Sequence, residues 1–238
     1  SLELYYVSVW EDMDSTTAFK EISSVRTYAD KTGDELLAVY SEFLKARYHL
    51  RGIERNLKIV YPYLKAIQAR LNTQKPNALT ERLNADIEHF LGAILYIERT
   101  NTVKGITHLL SADLTYRKIG YENIQFADRL LAHLGLYYQV EVGDYKTAMG
   151  YFKEAESYIY KDPIDKYRIA FYKDYANCFA RLKQYDKAIK YNKLAMAQIR
   201  LKRDSLKVGT ISGNIGEIIL NEFANPIEAE PYFHKELL

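Results

Sequence analysis

The sequence predicts an all-α fold, a superhelix of about five stacked helical hairpins that follow one N-terminal helix. Apolar residues recur with the 3.6-residue period of a helix, and short polar turns interrupt them. Sets of small residues also recur, and the first two members of each set are 12 to 13 positions apart. Successive sets begin at positions 92, 135, 176 and 216, about 40 residues apart. Because a lone hairpin cannot bury both of its faces, a helical repeat of this length predicts hairpins that stack on one another.

The clearest hairpin lies between Arg168 and Arg203. Its two helices are separated by a polar turn at Lys183 and Gln184, so they must pack antiparallel. Small side chains on both helices allow the two backbones to approach closely, and the first helix carries an aromatic stripe at helical spacing. These positions are Ile169, Tyr172, Tyr175, Ala176 and Phe179 on the first helix, and Ala188 and Ala195 on the second.

The same pattern places the other elements in order. The first 13 residues are left open as extended or helical, and a helix is expected from Asp14 to about Lys31. We therefore divide the chain into an N-terminal segment with a capping helix, residues 1–33, and a repeat domain, residues 34–238. The further helices are predicted at 34–50, 53–73, 79–98, 101–118, 121–142, 144–160, 163–182, 184–203, 205–222 and 226–238. A weaker first copy of the small-residue pattern is expected at Ala46, Ile59 and Ala66.

The repeats resemble the tetratricopeptide repeat. The residues that carry the resemblance are Tyr175–Ala176 with QYDKAIKY, Leu134–Gly135 with GDYKTAMGYF, and Asn214–Gly216 with NPIEAEPYF. The resemblance covers roughly residues 34–238 and implies a right-handed α–α superhelix with an inner groove formed by the first helices. The sequence departs from the family pattern in its period, which exceeds the usual ~34 residues, and in Glu236, which stands where a small residue is expected.

Composition and charge limit the possible functions. The net charge is only +2, so we expect no direct binding of nucleic acid by this region. Charge is uneven along the chain, however, with a net +7 over residues 181–210 and −4 over residues 211–238. No stretch approaches the ~20 apolar residues of a membrane span.

The compartment is left open. Cys178 is the one cysteine, so no internal disulfide is possible, and its apolar surroundings predict a buried side chain. The chain begins with Ser and ends at Leu238 inside a helical pattern, which leads us to expect a fragment of a longer protein. A cytoplasmic location is compatible with this, as is an extracytoplasmic one if the chain is fused to a membrane-anchored regulator.

The sequence contains none of the common metal-binding, nucleotide-binding or catalytic motifs. The five histidines are not spaced as metal ligands, and the HExxH, GxGxxG, Walker A and GxSxG patterns do not occur. No pair of carboxylates is marked by an apolar setting that would separate their pKa values for acid–base work. We therefore predict no enzyme, no metal and no cofactor.

Candidate binding residues lie beside the apolar stripe of the clearest hairpin. Lys173, Asn177 and Arg181 are four residues apart and form a ladder on one helix face. Asn214 holds the matching position in the next first helix. In tetratricopeptide domains that bind peptide C-termini, a lysine, an asparagine four residues later and an asparagine of the next repeat hold a carboxylate. The resemblance thus implies this role for Lys173, Asn177 and Asn214, although lysine and asparagine are also common on exposed helix faces.

Two further residues, His133 and Gln139, could extend this groove. The leading hypothesis is a non-catalytic module that binds a protein or peptide segment in the concave groove, similar to the sensor regions of bacterial regulatory proteins. One alternative is a scaffold or assembly factor that acts through oligomerisation, with a homodimer possible. A helical enzyme is the third hypothesis.

Overall fold

A computed structural model describes residues 15–49, 57–124, 127–159, 165–199 and 205–234. These residues form eleven α-helices and no strand, as predicted for an all-α fold. The chain divides into two compact units, Ser1–Gln125 and Phe126–Leu238. Within each unit every helix packs chiefly on its neighbours along the chain, which is the consecutive packing of an α–α solenoid.

The first unit contains five of the helices, and the last pair has the most extensive contact. They are α1 (Ser15–Thr32), α2 (Glu35–His49), α3 (Leu57–Leu71), α4 (Ala78–Ile97) and α5 (Thr102–Ile119), followed by a short 3₁₀ turn, Tyr121–Asn123. The second unit contains three hairpins. They are formed by α6 (Ala127–Tyr137) with α7 (Tyr145–Glu156), α8 (Asp165–Arg181) with α9 (Tyr185–Ala197), and α10 (Ser205–Glu222) with α11 (Pro226–His234).

Helix α1 covers one side of α2 in the first unit. Its apolar positions Ala18, Ile22 and Ala29 are buried, and Ile22 packs with Leu44 of α2. The carboxylate of Glu42 on α2 accepts hydrogen bonds from two arginines of neighbouring helices, Arg26 (2.9 Å) and Arg70 (2.5 Å). The predicted boundary at residue 33 falls in the turn between α1 and α2, and the division of the chain at this point stays a prediction.

Four hairpin turns contain a residue with positive φ. It lies one or two residues after the end of the preceding helical segment, at Arg99, Gly143, Lys183 and Ala224. In three of the turns a polar side chain then caps the second helix, because its oxygen accepts a backbone N–H of the first turn. These bonds are Lys104 N–Asn101 Oδ1 (2.9 Å), Thr147 N–Asp144 Oδ1 (3.0 Å) and Glu228 N–Asn225 Oδ1 (3.1 Å).

The recurring small residues mark places where a hairpin is closest. A Cβ added to Gly92 would lie 2.8 Å from the carbonyl oxygen of Gly105, so the backbones of α4 and α5 meet there. In the second unit the partner is an aromatic ring, and a Cβ on Gly135 would lie 3.0 Å from Phe152. The last hairpin repeats this arrangement with Gly216 and Phe233, at 2.9 Å. The small residues recur because a larger side chain would not fit where the two helices of each hairpin are closest.

The α8–α9 hairpin has different side chains at the positions where its two helices are closest. Ala176 and Ala188 are fully buried, and the fourth residue after Ala188 is Asn192, where the other two hairpins have phenylalanine. Asn192 is buried, and its Oδ1 has no hydrogen-bond partner among the described residues. An alanine methyl group in place of the glycine hydrogen leaves less room, which is consistent with the smaller asparagine at this position.

Two predictions about single elements are wrong. Ala66 is exposed on α3, so the weak first copy of the small-residue pattern does not describe packing there, whereas Ala46 is buried as expected. The helix predicted over 121–142 is also interrupted. Its start is a 3₁₀ turn in which Tyr121 is buried and donates its hydroxyl to Asp113, and its end, Tyr138–Val142, widens into a π-helical turn.

Candidate functional site

The predicted ladder lies on α8. Lys173 and Asn177 are half-buried and Arg181 is exposed, so the three side chains follow successive turns along one accessible face. The aromatic stripe of the same helix is buried, as its spacing predicts, and it includes Tyr172 and Tyr175. The burial pattern of α8 thus separates a packed face from a polar face that contains the candidate residues.

A carboxylate of the same helix already lies beside the lysine. Lys173 Nζ is 3.3 Å from Asp174 Oδ1, and the lysine side chain keeps 38% of its surface exposed. Burial raises the pKa of the Asp174 carboxyl, and the Lys173 ammonium lowers it by less. An acidic ligand that binds Lys173 must therefore compete with Asp174 for the ammonium group.

The remaining candidate residues differ in accessibility. Asn214 is half-buried on α10, the first helix of the next hairpin. Burial, together with the smaller effect of the Arg129 charge, lowers the pKa of His133 to about 4, so the imidazole is neutral at physiological pH. Gln139 is buried in the π-helical turn, and its Oε1 has no hydrogen-bond partner among the described residues. Gln139 is therefore the buried member of the predicted site, whereas Lys173, Asn177, Asn214 and His133 are half-buried and Arg181 is exposed.

The first unit contains a groove that the sequence analysis did not identify. It lies between α2 and α4, and its cavity has a volume of about 250 Å³. Two helix stripes form its apolar lining, which consists of Leu36, Leu37 and Tyr40 on α2 and Leu79 and Leu83 on α4. We call this surface the α2–α4 groove. A signal was present in the sequence, because these residues have helical spacing, but the sequence does not show that two such stripes face each other.

Charged groups border the α2–α4 groove. Asp34, Arg82 and Asp86 line it together with the apolar residues. Asp34 caps α2 by accepting the N–H of Leu37 at 2.9 Å, and Asp86 accepts the hydroxyl of Tyr116 at 2.5 Å. Both carboxylates are thus held in place by the fold.

A partly buried polar cluster connects α3, α4 and α5. His108 Nδ1 is 2.6 Å from Glu88 Oε2, and Gln68 donates its amide to the other oxygen of Glu88. Gln68 also donates to Asn84 at 3.0 Å and accepts from Lys65 at 2.6 Å. Burial raises the pKa of Glu88, but the hydrogen bonds from His108 and Gln68 outweigh it, and the pKa lies below the ordinary value. The cluster ties three helices together, and Glu88 pairs with His108 and not with its sequence neighbour His89.

Replacing Glu88 with glutamine is expected to lower the free energy of unfolding by about 1.5 kcal/mol at neutral pH, because hydrogen bonds to a charged group are lost. Since the folded-state pKa of Glu88 is lowered, its contribution is fully present above the unfolded value and is lost as the pH falls through the folded value. Urea unfolding of both proteins from about pH 7 to about pH 3 measures this, and the difference should shrink below about pH 4.5. A difference that stays constant with pH would contradict the assignment, and Glu81→Gln, in an exposed ion pair with Lys118, serves as the control.

No group of three or more His, Cys, Asp or Glu side chains in the described ranges is placed to hold a metal ion. Cys178 is buried, and its Sγ donates to the carbonyl oxygen of Tyr145 at 3.3 Å. Burial raises the pKa of this thiol to about 11, so it is neutral and a poor nucleophile. None of the described helices combines the length and apolar character needed to cross a membrane.

Stacked helical hairpins, caps at the turns and an accessible polar face define a helical-repeat protein of the class that forms protein-interaction scaffolds. Residues 62–209, well over half of the chain, match the family model described as "SNAP: Soluble NSF attachment protein, SNAP". The chain belongs to this family of TPR-like helical repeats. The predicted resemblance is confirmed at this level, whereas membership of the tetratricopeptide family itself stays a prediction.

Comparison with solved structures supports the same fold. The crystal structure of BtubC (BKLC) from P. vanneervenii is similar, with a TM-score of 0.61 and 15% sequence identity. The match covers 93% of this chain and 85% of that chain, and at this identity it shows the fold alone. No curated protein matches the chain.

Proposed function

We propose that this chain is a non-catalytic module that binds an acidic segment of a partner protein along the polar face of α8. The observation that carries the proposal is the ladder of Lys173, Asn177 and Arg181, which remains accessible while the other face of α8 is packed. An ammonium, an amide and a guanidinium on successive turns suit carboxylates or an extended backbone. The family supports a protein partner, because SNAP-type helical repeats form a non-catalytic adaptor fold that binds proteins.

The charge of the surrounding chain favours an acidic partner. Residues 181–210 have a net charge of +7, and the exposed side chains of this stretch include Arg181, Lys187, Lys190 and Lys193. Such a cluster accelerates the encounter with acidic groups, although it does not by itself select one. The contact between Lys173 and Asp174 adds a cost that only a carboxylate or a similar strong acceptor would offset.

The double variant Lys173→Ala/Asn177→Ala is expected to weaken binding of short acidic peptides by about tenfold or more, because two charge-assisted or amide hydrogen bonds are lost. Fluorescence anisotropy with labelled peptides that end in a free carboxylate or in an amide measures the effect. A preference for the free carboxylate that disappears in the double variant would support a carboxylate clamp that includes Asn214. Lys153→Ala, which removes an exposed lysine of α7 outside the basic stretch 181–210, is the matched control and should bind normally.

Equal peptide binding by the native chain and the double variant would contradict the proposal. The alternative function, an assembly factor that forms a homodimer, is favoured by exposed apolar side chains at the last hairpin, where Ile227 is 83% exposed. In that case light scattering would give twice the monomer mass. Phe233 is a poor probe of such a dimer because its ring packs against Gly216 within the hairpin.

A narrower version of the proposal is that this chain is the sensor region of a bacterial regulatory protein. Its support is the resemblance of the long-period repeat to such regions. In that version, the ligand on α8 would be a signalling peptide.

A further inference from the structure

The α2–α4 groove presents a large apolar side chain to solvent at a position where the fold does not need one. Leu79 is 66% exposed in the first turn of α4. The capping of this helix is performed by its neighbours, since Asn77 Oδ1 accepts the N–H groups of Leu79 and Thr80, and Thr80 Oγ1 accepts the N–H of Asn77. Any residue other than proline at position 79 would donate the same backbone N–H, so the leucine side chain contributes little to the start of the helix.

Leu79 does not stand alone on this surface. Leu83 lies one turn further along α4 and is buried, and Leu36, Leu37 and Tyr40 of α2 complete the apolar lining. Leu36, Leu37 and Tyr40 are only partly buried. The exposed leucine is therefore one edge of a small apolar surface shared by two helices, and a surface of this kind suits contact with an apolar side chain of a partner.

The size of the groove favours side chains of a protein over a free small molecule. Its volume of about 250 Å³ lies below the range of about 300–1,000 Å³ that is usual for small-molecule pockets. Two apolar side chains that project from one face of a helix, three or four residues apart, match a shallow trough between two helices.

Charge selects among such segments. The carboxylates of Asp34 and Asp86 border the groove, on α2 and α4 respectively, with Arg82 as the cation among the lining residues. Two carboxylates against one guanidinium favour a lysine or arginine next to the two apolar side chains over an acidic residue.

We propose that the α2–α4 groove binds a short helical segment of a partner protein in which two large apolar side chains, three or four residues apart, are flanked by lysine or arginine. This site is distinct from the polar face of α8 in its location, in its apolar character and in the sign of the charge it selects. The α8 variants and the groove variants therefore report on separate proposals.

The test uses two labelled peptides of about twelve residues with a Leu-x-x-Leu core, one flanked by lysines and the other by glutamates. Fluorescence anisotropy should detect binding of the lysine-flanked peptide to the native chain and little binding of the other. Leu79→Ser should weaken binding about tenfold or more, and Asp86→Asn about threefold, with a smaller salt dependence than the native chain. Leu114→Ser is the matched control, because Leu114 is a leucine of α5 that is 72% exposed outside the groove.

Three results would overturn the proposal. The first is no binding of the lysine-flanked peptide by the native chain, or equal binding by Leu79→Ser, with unchanged melting of both proteins by circular dichroism. The second is a preference for the glutamate-flanked peptide. The third is a native dimer that Leu79→Ser converts to a monomer, because the occupant of the groove would then be a second copy of this chain.

Discussion

Phe152→Ala is expected to lower the free energy of unfolding by about 3–5 kcal/mol, the usual cost of removing a fully buried phenylalanine side chain. Phe152 has no exposed surface. Its ring lies against Gly135 of α6 and makes ring contacts with Phe171 and Tyr175 of α8, at centroid distances of 6.1 and 5.5 Å. One side chain thus joins three helices of the second unit, and the cavity left by alanine would be lined by rigid rings and by a glycine that cannot fill it.

Urea unfolding followed by circular dichroism measures this loss. Tyr151→Ala is a suitable control, because Tyr151 is the neighbouring aromatic residue, is half-buried, and stacks on Tyr138 at a centroid distance of 5.5 Å. Its loss should be clearly smaller. A Phe152→Ala protein that is as stable as Tyr151→Ala would show that the hairpin does not depend on the Gly135–Phe152 contact.

Gly92→Ala is expected to destabilise the protein by about 1–3 kcal/mol, even though alanine is the better helix former by about 1 kcal/mol. The added Cβ would lie 2.8 Å from the carbonyl oxygen of Gly105 and equally close to the Cγ of Leu109. A backbone oxygen cannot rotate away as a long side chain can, so α4 and α5 would have to separate along their interface.

Gly150→Ala is the same chemical change, but it is expected to have the opposite effect on stability. Gly150 lies within α7, is exposed, and has no atom within 4 Å of the position of an added Cβ. The substitution to alanine should therefore stabilise the protein by about 0.5–1 kcal/mol. Thermal melting of the native protein and the two variants measures the expected loss of stability in Gly92→Ala and the expected gain in Gly150→Ala in one experiment. Stabilisation by both substitutions would show that α4 and α5 are further apart than the structure places them.

The sequence could predict the hairpins because both of their requirements are local. Helical periodicity depends on residues within one helix, and the small residues at 92 and 105 are only 13 positions apart. For the same reason the buried state of Cys178 was predicted correctly. The break in the helix predicted over 121–142 could not be seen in this way, because the burial of Tyr121 depends on a contact with Asp113 of the preceding helix.

For the candidate residues, too, the sequence predicted the local arrangement but not the contacts that depend on tertiary structure. Lys173, Asn177 and Arg181 could be placed on one face from their spacing alone, and α8 has them there. The enclosure of Gln139 was not predictable, since it depends on helices that pack around the π-helical turn. The contact of Lys173 with Asp174 joins adjacent residues, but rotamers decide it and the sequence does not.

The sequence by itself determined the class of this protein: an array of helical hairpins with a repeat of about 40 residues, whose small residues set how closely each pair packs. The tertiary structure alone decided which apolar stripes are covered. Leu79 and Leu83 have the same side chain and belong to the same helix, yet one is open to solvent and the other is buried. Burial depends on what lies opposite a side chain, and that is fixed when α2 and α4 come together and not by the order of residues along α4.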